Sequence, residues 1–95
     1  MEQSHKQVER ILIGLAIEHT LLQIDRPVFE RVQKMFTERY HCDVADSSDH
    51  PEYLRDILGD VFGSSQTDVI KSIGGFLSDF RNQYQINEFM TKMGM

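Results

Sequence analysis

The densest run of apolar residues in the chain lies between Ile11 and Ile24, and its spacing is helical. We predict a helix that begins near residue 5, ends at about Ile24 and carries two apolar stripes. The broad stripe comprises Val8, Ile11, Leu12, Leu15 and Leu22, and the flanking stripe comprises Ile13, Ile17, Leu21 and Ile24. A helix that is apolar over most of its circumference needs partners on more than one side, so we expect it to be central.

Four more helical patterns follow, the last of them weak. Pro27 lacks a backbone N–H and disfavours the α region for the residue before it, so the first helix must stop near Asp25. The patterns after this corner cover residues 27–40, 50–62, 65–80 and 86–93. Residues 41–50 lose the helical period and accumulate Asp and Ser, which predicts one long loop.

Nowhere does the chain alternate apolar and polar residues as a half-buried strand requires. We therefore predict an all-α fold, a compact bundle of four helices plus a short C-terminal fifth helix or docking tail. The 95 residues are in the range of one domain, residues 1–95, because two cores would each be too small. Gly74 and Gly75, inside the fourth helix, predict the close approach of another helix or a kink.

Charge narrows the range of partners. Fifteen acidic and ten basic residues give a net charge of −5, which repels nucleic-acid backbones. The second helix carries Arg26, Arg31, Lys34 and Arg39, but Glu30 and Glu38 are interleaved with them. Nucleic acid is therefore a poor candidate as a partner.

Membrane insertion and secretion are not expected either. The apolar run is shorter than the roughly 20 residues of a membrane span, and it contains Glu18 and His19. Cys42 is the single cysteine and cannot form an internal disulfide, and no secretory signal precedes the first helix. We expect a cytoplasmic protein.

The 41–50 loop concentrates groups that bind transition metals. These candidate ligands are His41, Cys42, Asp43, Asp46 and His50. Structural zinc sites show paired ligands at short fixed spacings, whereas each element here is single, so a solvated loop rich in Asp-initiated turns is favoured over a metal site.

No catalytic constellation stands out. The adjacent pair His41 and Cys42 could suggest a base and a nucleophile, but neighbours on the chain rarely reach hydrogen-bond geometry and no third group is evident. His19 lies on the broad stripe and is interpreted as a core or interface histidine rather than a ligand. We expect a protein that is not an enzyme and needs no cofactor.

Two segments carry a family resemblance, ILIGLAIEHTLLQIDRPVFERVQKMF (residues 11–36) and HPEYLRDILGDVFG (residues 50–63). Together with the second helix pair, they resemble a family of small, poorly characterised archaeal helical domains. Members of that family are regarded as output modules of signal-transduction proteins. The resemblance implies an all-helical fold and a regulatory role, and it brings no catalytic residues with it.

Two classes of function follow from these patterns. The favoured one is a non-enzymatic interaction or regulatory domain that forms a homodimer and binds another protein, because apolar surface is in excess and catalytic groups are lacking. The alternative is a metal- or small-ligand-binding protein that uses the 41–50 loop. For the homodimer, we expect the flanking stripe of Ile13, Ile17, Leu21 and Ile24 to contact the second subunit while the broad stripe packs internally.

Overall fold

The computed structural model describes residues 2–94, with side chains described from Gln7 to Gly94. It contains five α-helices, which are α1 (Glu2–Ile24), α2 (Arg26–Tyr40), α3 (Pro51–Phe62), α4 (Gln66–Leu77) and α5 (Tyr84–Lys92). Short 3₁₀ helices cover Val44–Ser48, Gly63–Ser65 and Ser78–Phe80, and residues 2–94 contain no strand. The predicted all-α fold is confirmed, and so is the short fifth helix.

Local chemistry explains most helix ends. Asp25 is extended, with φ −172° and ψ 139°, and Pro27 lies in the first turn of α2, so the corner between α1 and α2 takes a single residue. Gly63 ends α3 with φ +57°, a backbone conformation that residues with a Cβ rarely adopt. Both ends lie where the Pro and Gly signals predict them.

Several features differ from the prediction, among them α5, which begins at Tyr84 rather than Ile86. Helix α1 begins at Glu2 rather than near residue 5, and α4 tightens into a 3₁₀ turn after Leu77. The 41–50 segment is not an irregular loop throughout, because Val44–Ser48 forms a 3₁₀ helix, hereafter the loop helix. A capping box starts it, in which the Asp46 carboxylate accepts the Asp43 backbone N–H at 2.8 Å. Val44 and Ser47 are buried, which makes this polar stretch part of the core boundary.

Helix α1 is the central element, as predicted, since it contacts α2, α4, α5 and the loop helix. Helix α3 closes the opposite side through contacts with α2, α4, α5 and the loop helix. The buried apolar side chains of the described residues belong to one connected cluster. The largest fully buried members are Phe36, Phe89, Ile13, Ile17, Leu21, Leu54, Ile57, Leu58, Ile73, Leu77, Ile86 and Met93.

Candidate interaction surface

The flanking stripe of α1 is inside the protein, not at its surface. Ile13, Ile17 and Leu21 each have 0% of their surface exposed within this single chain. A side chain with no exposed surface cannot contact a second subunit, so the predicted contact role of these three residues is wrong. Ile24, the fourth predicted contact, is 50% exposed, because it lies at the end of the helix beyond the neighbours that cover the other three.

The broad stripe, which was expected inside, faces solvent instead. Val8, Ile11, Leu15 and Leu22 are 56%, 58%, 48% and 39% exposed, and Leu12 is partly buried at the margin. We call Val8, Ile11, Leu15 and Leu22 the exposed stripe. The two sides of α1 are therefore exchanged relative to the expectation from sequence.

Small residues beside the buried stripe explain this exchange. A Cβ on Gly14 would meet the Cβ of Ala45 at 3.3 Å, a tighter contact than most Cβ atoms make, so glycine lets the loop helix lie closer to α1 than a larger residue would. Ala16 and Thr20 are also buried on this side. Short side chains let neighbouring helices approach until Ile13 and Ile17 are fully enclosed.

Polar groups on the buried side of α1 are also satisfied by other elements. The Arg10 guanidinium pairs with the Asp46 carboxylate, and its Nη1 lies 3.4 Å from Asp49 Oδ2. Glu9, only 6% exposed, accepts a hydrogen bond at Oε2 from the backbone N–H of Gln85 at 3.2 Å. That N–H is in the first turn of α5, where a carboxylate also interacts favourably with the helix dipole.

The geometry of the exposed stripe is that of a helix-pairing seam. Val8, Leu15 and Leu22 recur every seven residues, and Ile11 is three residues after Val8, which corresponds to positions a and d of a heptad. Glu18 occupies the next d position. His19 is exposed beside this seam, and its ring packs against Phe76 of α4 with centroids 5.2 Å apart. Four half-exposed aliphatic side chains leave on the order of 300 Å² of apolar surface, a size that is often functional on a monomer.

Two of the loop residues considered as metal ligands, Asp46 and His50, make contacts with other groups. Asp46 pairs with Arg10 and accepts the Asp43 backbone N–H at 2.8 Å, while His50 lies 3.3 Å from Glu52 and stacks on Tyr53. His41 ends α2 in a left-handed conformation with φ 54°. Among the described residues, no three His, Cys, Asp or Glu side chains converge on a position that could hold a metal ion.

Cys42 is also poorly placed for chemistry. Burial, and after it the Asp43 carboxylate, raise the pKa of the Cys42 thiol, although Arg10 opposes this shift. A raised pKa lowers the fraction of thiolate, which is the form that attacks an electrophile or binds a metal. The shallow, polar depression between α2 and the loop, which His41, Cys42 and Asp43 line, therefore lacks an activated nucleophile.

A stack of three rings fastens α2 to α3. The Tyr40 and Tyr53 rings lie 3.8 Å apart and nearly parallel, and His50 stacks on Tyr53 at 4.5 Å. The Tyr40 hydroxyl donates to Asp56 Oδ2 at 2.6 Å, and Arg39 pairs with Asp56 at 3.1 Å. The hydrogen bond to Asp56 raises the pKa of Tyr40 to about 12 and, with Arg39, lowers that of Asp56. These contacts join two helices.

No helix within residues 2–94 combines the length and apolar content needed to cross a membrane. Comparison of the chain with family models, curated proteins and solved structures finds no match in any of the three.

Proposed function

We propose that this protein is a non-enzymatic interaction domain that pairs with a second copy of itself through the exposed stripe of α1. The observation that supports this proposal is the row of half-exposed aliphatic side chains along one continuous helix. Water contact with such surface is unfavourable by about 25 cal/mol per Å², so covering the stripe would stabilise the chain. We still propose the homodimer predicted from sequence, but with its contact surface on the other side of α1.

The positions in the stripe suit a two-fold antiparallel pair. If the axis passes Leu15, Leu15 meets its own copy and Val8 of one chain meets Leu22 of the other. Ile11 then faces the edge near His19, which rests on Phe76. Such an arrangement covers Val8, Leu15 and Leu22 with aliphatic side chains and Ile11 with the edge formed by the His19 ring, without reshaping the core.

The proposed dimer is a regulatory rather than a catalytic assembly. The resemblance to output modules of archaeal signal-transduction proteins supports a role in signalling, with another protein as the partner. The acidic balance of 15 carboxylates to 10 basic side chains supports a protein partner over a nucleic acid. Among the described residues, no group of three His, Cys, Asp or Glu side chains that could hold a metal ion competes with this proposal.

The test is the molecular mass in solution, measured by sedimentation equilibrium for the wild type and two single variants. We expect a wild-type dimer at micromolar concentration. Leu15→Glu places two carboxylates against each other across the proposed axis, so this variant should be a folded monomer.

Ile24→Glu is the matched control. Ile24 is on the same helix and equally exposed, but it points away from the exposed stripe, so its variant should stay dimeric. A monomeric wild type, or dissociation by Ile24→Glu with Leu15→Glu still dimeric, would show that the exposed stripe does not form the contact.

A further inference from the structure

A groove opens between α3, α4 and the C-terminal end of α5, on the side of α4 that faces away from α1. Its volume is about 560 Å³, within the range of small-molecule sites in proteins. Its lining comes from Arg55 of α3, the α4 face from Thr67 to Gly75, and Met90 and Met93 around α5. The Gln66 side chain closes one end by donating to the Arg55 backbone carbonyl at 2.5 Å.

The floor of the groove is apolar and adaptable. Ile70, Met90 and Met93 line it, and each is more than nine-tenths buried, so the floor belongs to the packed core. Methionine side chains are unbranched and polarisable, and they adjust to ligands of irregular shape. This floor would accept an aliphatic chain.

The rim of the groove is cationic, in contrast to the acidic protein around it. Arg55 and Lys71 line it, together with Arg81, and none of the described lining residues is acidic. Arg10 and Arg39 elsewhere in the chain are paired with aspartates, but Arg55 and Lys71 form no ion pair with any described residue. Two unpaired cations above an apolar floor complement a ligand with one anionic and one apolar end.

The groove has unoccupied space beside Gly75. A Cβ built on Gly75 would meet no atom within 4 Å, so no neighbour in this chain requires glycine there. Glycine is nonetheless among the least favourable residues in a helix interior. Its absence of a side chain lets a ligand approach the α4 backbone beside Ser78, which also lines the groove.

We propose that this groove binds a small amphipathic organic anion, a carboxylate or phosphate monoester on an aliphatic chain. The head group lies between Arg55 and Lys71, and the chain covers Met90 and Met93. The proposal is independent of the α1 dimer, since the groove and the exposed stripe share no residue.

Titration calorimetry with matched probes tests whether the groove binds an amphipathic anion. Octanoate and octyl phosphate are the anions, octyltrimethylammonium and octanol carry the same chain without negative charge, and acetate carries the head group alone. We expect one site per chain for both anions, with Kd at least about tenfold weaker for octanol and acetate and no binding of the cation. The stronger of the two anions identifies the head group; equal binding of octanoate and the cation would overturn the proposal.

Variants locate the site. Lys71→Gln and Arg55→Gln should each weaken octanoate binding about tenfold, and Gly75→Leu should abolish it by filling the unoccupied space there. Arg31→Gln removes an exposed cation that does not line the groove and should leave Kd unchanged. Gly75→Ala should raise the melting temperature yet weaken binding, which separates loss of the site from loss of the fold.

Two further results would contradict the proposal. One is wild-type protein that binds neither anion. The other is octanoate binding that is unaffected by Lys71→Gln and Gly75→Leu while these variants change the sedimenting mass, since the groove would then be a contact between protein chains.

Discussion

On one side of α1, Ile13, Ile17 and Leu21 are completely enclosed, whereas on the other side the exposed stripe leaves four aliphatic side chains in contact with water. The two sides carry similar residues at similar spacing, so their own hydrophobicity does not distinguish them. The residues that lie between the two stripes distinguish the two sides. Gly14 and Ala16 lie beside the enclosed side and allow neighbouring elements to approach it, whereas Glu18 and His19 lie beside the exposed stripe. A stripe is buried where the intervening residues permit close approach.

The largest expected effect comes from placing a charge on each side in turn. Ile17→Glu should abolish folding, because an unpaired carboxylate in the core costs a large part of the roughly 5–15 kcal/mol that stabilises a small domain. Ile17→Ala should retain the fold but lose about 2–5 kcal/mol. Helical circular dichroism and urea unfolding give both values.

Leu15→Glu serves as the comparison, and it should keep its helical signal. If Ile17→Glu proved to be a folded monomer, the assignment of the two sides would have to be reversed again.

A smaller effect should separate Glu9 and Glu18 of α1. Glu9→Ala removes the acceptor for the Gln85 N–H and leaves that group without a side-chain acceptor in the partly buried first turn of α5, which should cost about 1–2 kcal/mol. Glu18 lies on the side of the exposed stripe, so Glu18→Ala should change the free energy of unfolding by no more than about 0.5 kcal/mol. Urea midpoints measure the difference, and equal losses from both variants would argue against the Glu9 contact.

The smallest effect concerns pH and lies away from both stripes, at Tyr40 and Asp56. The pKa of Tyr40 is raised from 10.0 to about 12, so its stabilising contribution is complete below pH 10.0 and is lost as pH rises to about 12. The pKa of Asp56 is lowered, so its contribution is complete above its ordinary value of 3.8 and is lost as pH falls through the lowered pKa.

Solvent screening keeps both contributions small. The Asp56 side chain is 48% exposed, and we expect at most about 0.5 kcal/mol from this pair. The measurement is the difference in unfolding free energy between wild type and Tyr40→Phe, which should be constant near neutral pH and vanish in strong alkali. A difference that grows with pH would contradict the hydrogen bond to Asp56.

Short-range signals account for the helices that sequence predicted correctly. The period of apolar residues gives α2 and α3, Pro27 locates the corner, and Gly63 provides the positive φ that ends α3. Each depends on residues within a few positions of one another. The loop helix Val44–Ser48 was missed because its local signal, the capping box of Asp43 and Asp46, lies in a polar stretch that has no helical period of apolar residues.

The candidate surfaces were less predictable than the helices. The exposed stripe was identified as an apolar stripe but assigned to the interior, and Gly14 was the signal that could have corrected the assignment. The groove could not be predicted at all, because Arg55, Lys71 and Met93 come from three separate parts of the chain. The sequence predicted the close approach of another helix or a kink at Gly74 and Gly75, whereas the structure shows open space beside Gly75.

By itself, the sequence determined the helical class, the first four α-helices, the corners between them at Asp25 and Gly63, and the existence of two apolar stripes on α1. These follow from backbone preferences and from the spacing of side chains along a helix, which neighbours in sequence decide. Tertiary structure alone decided which stripe is enclosed and that Glu9 reaches Gln85, 76 residues away. Those outcomes depend on how closely helices distant in sequence can pack, and packing is a property of the assembled chain rather than of any one segment.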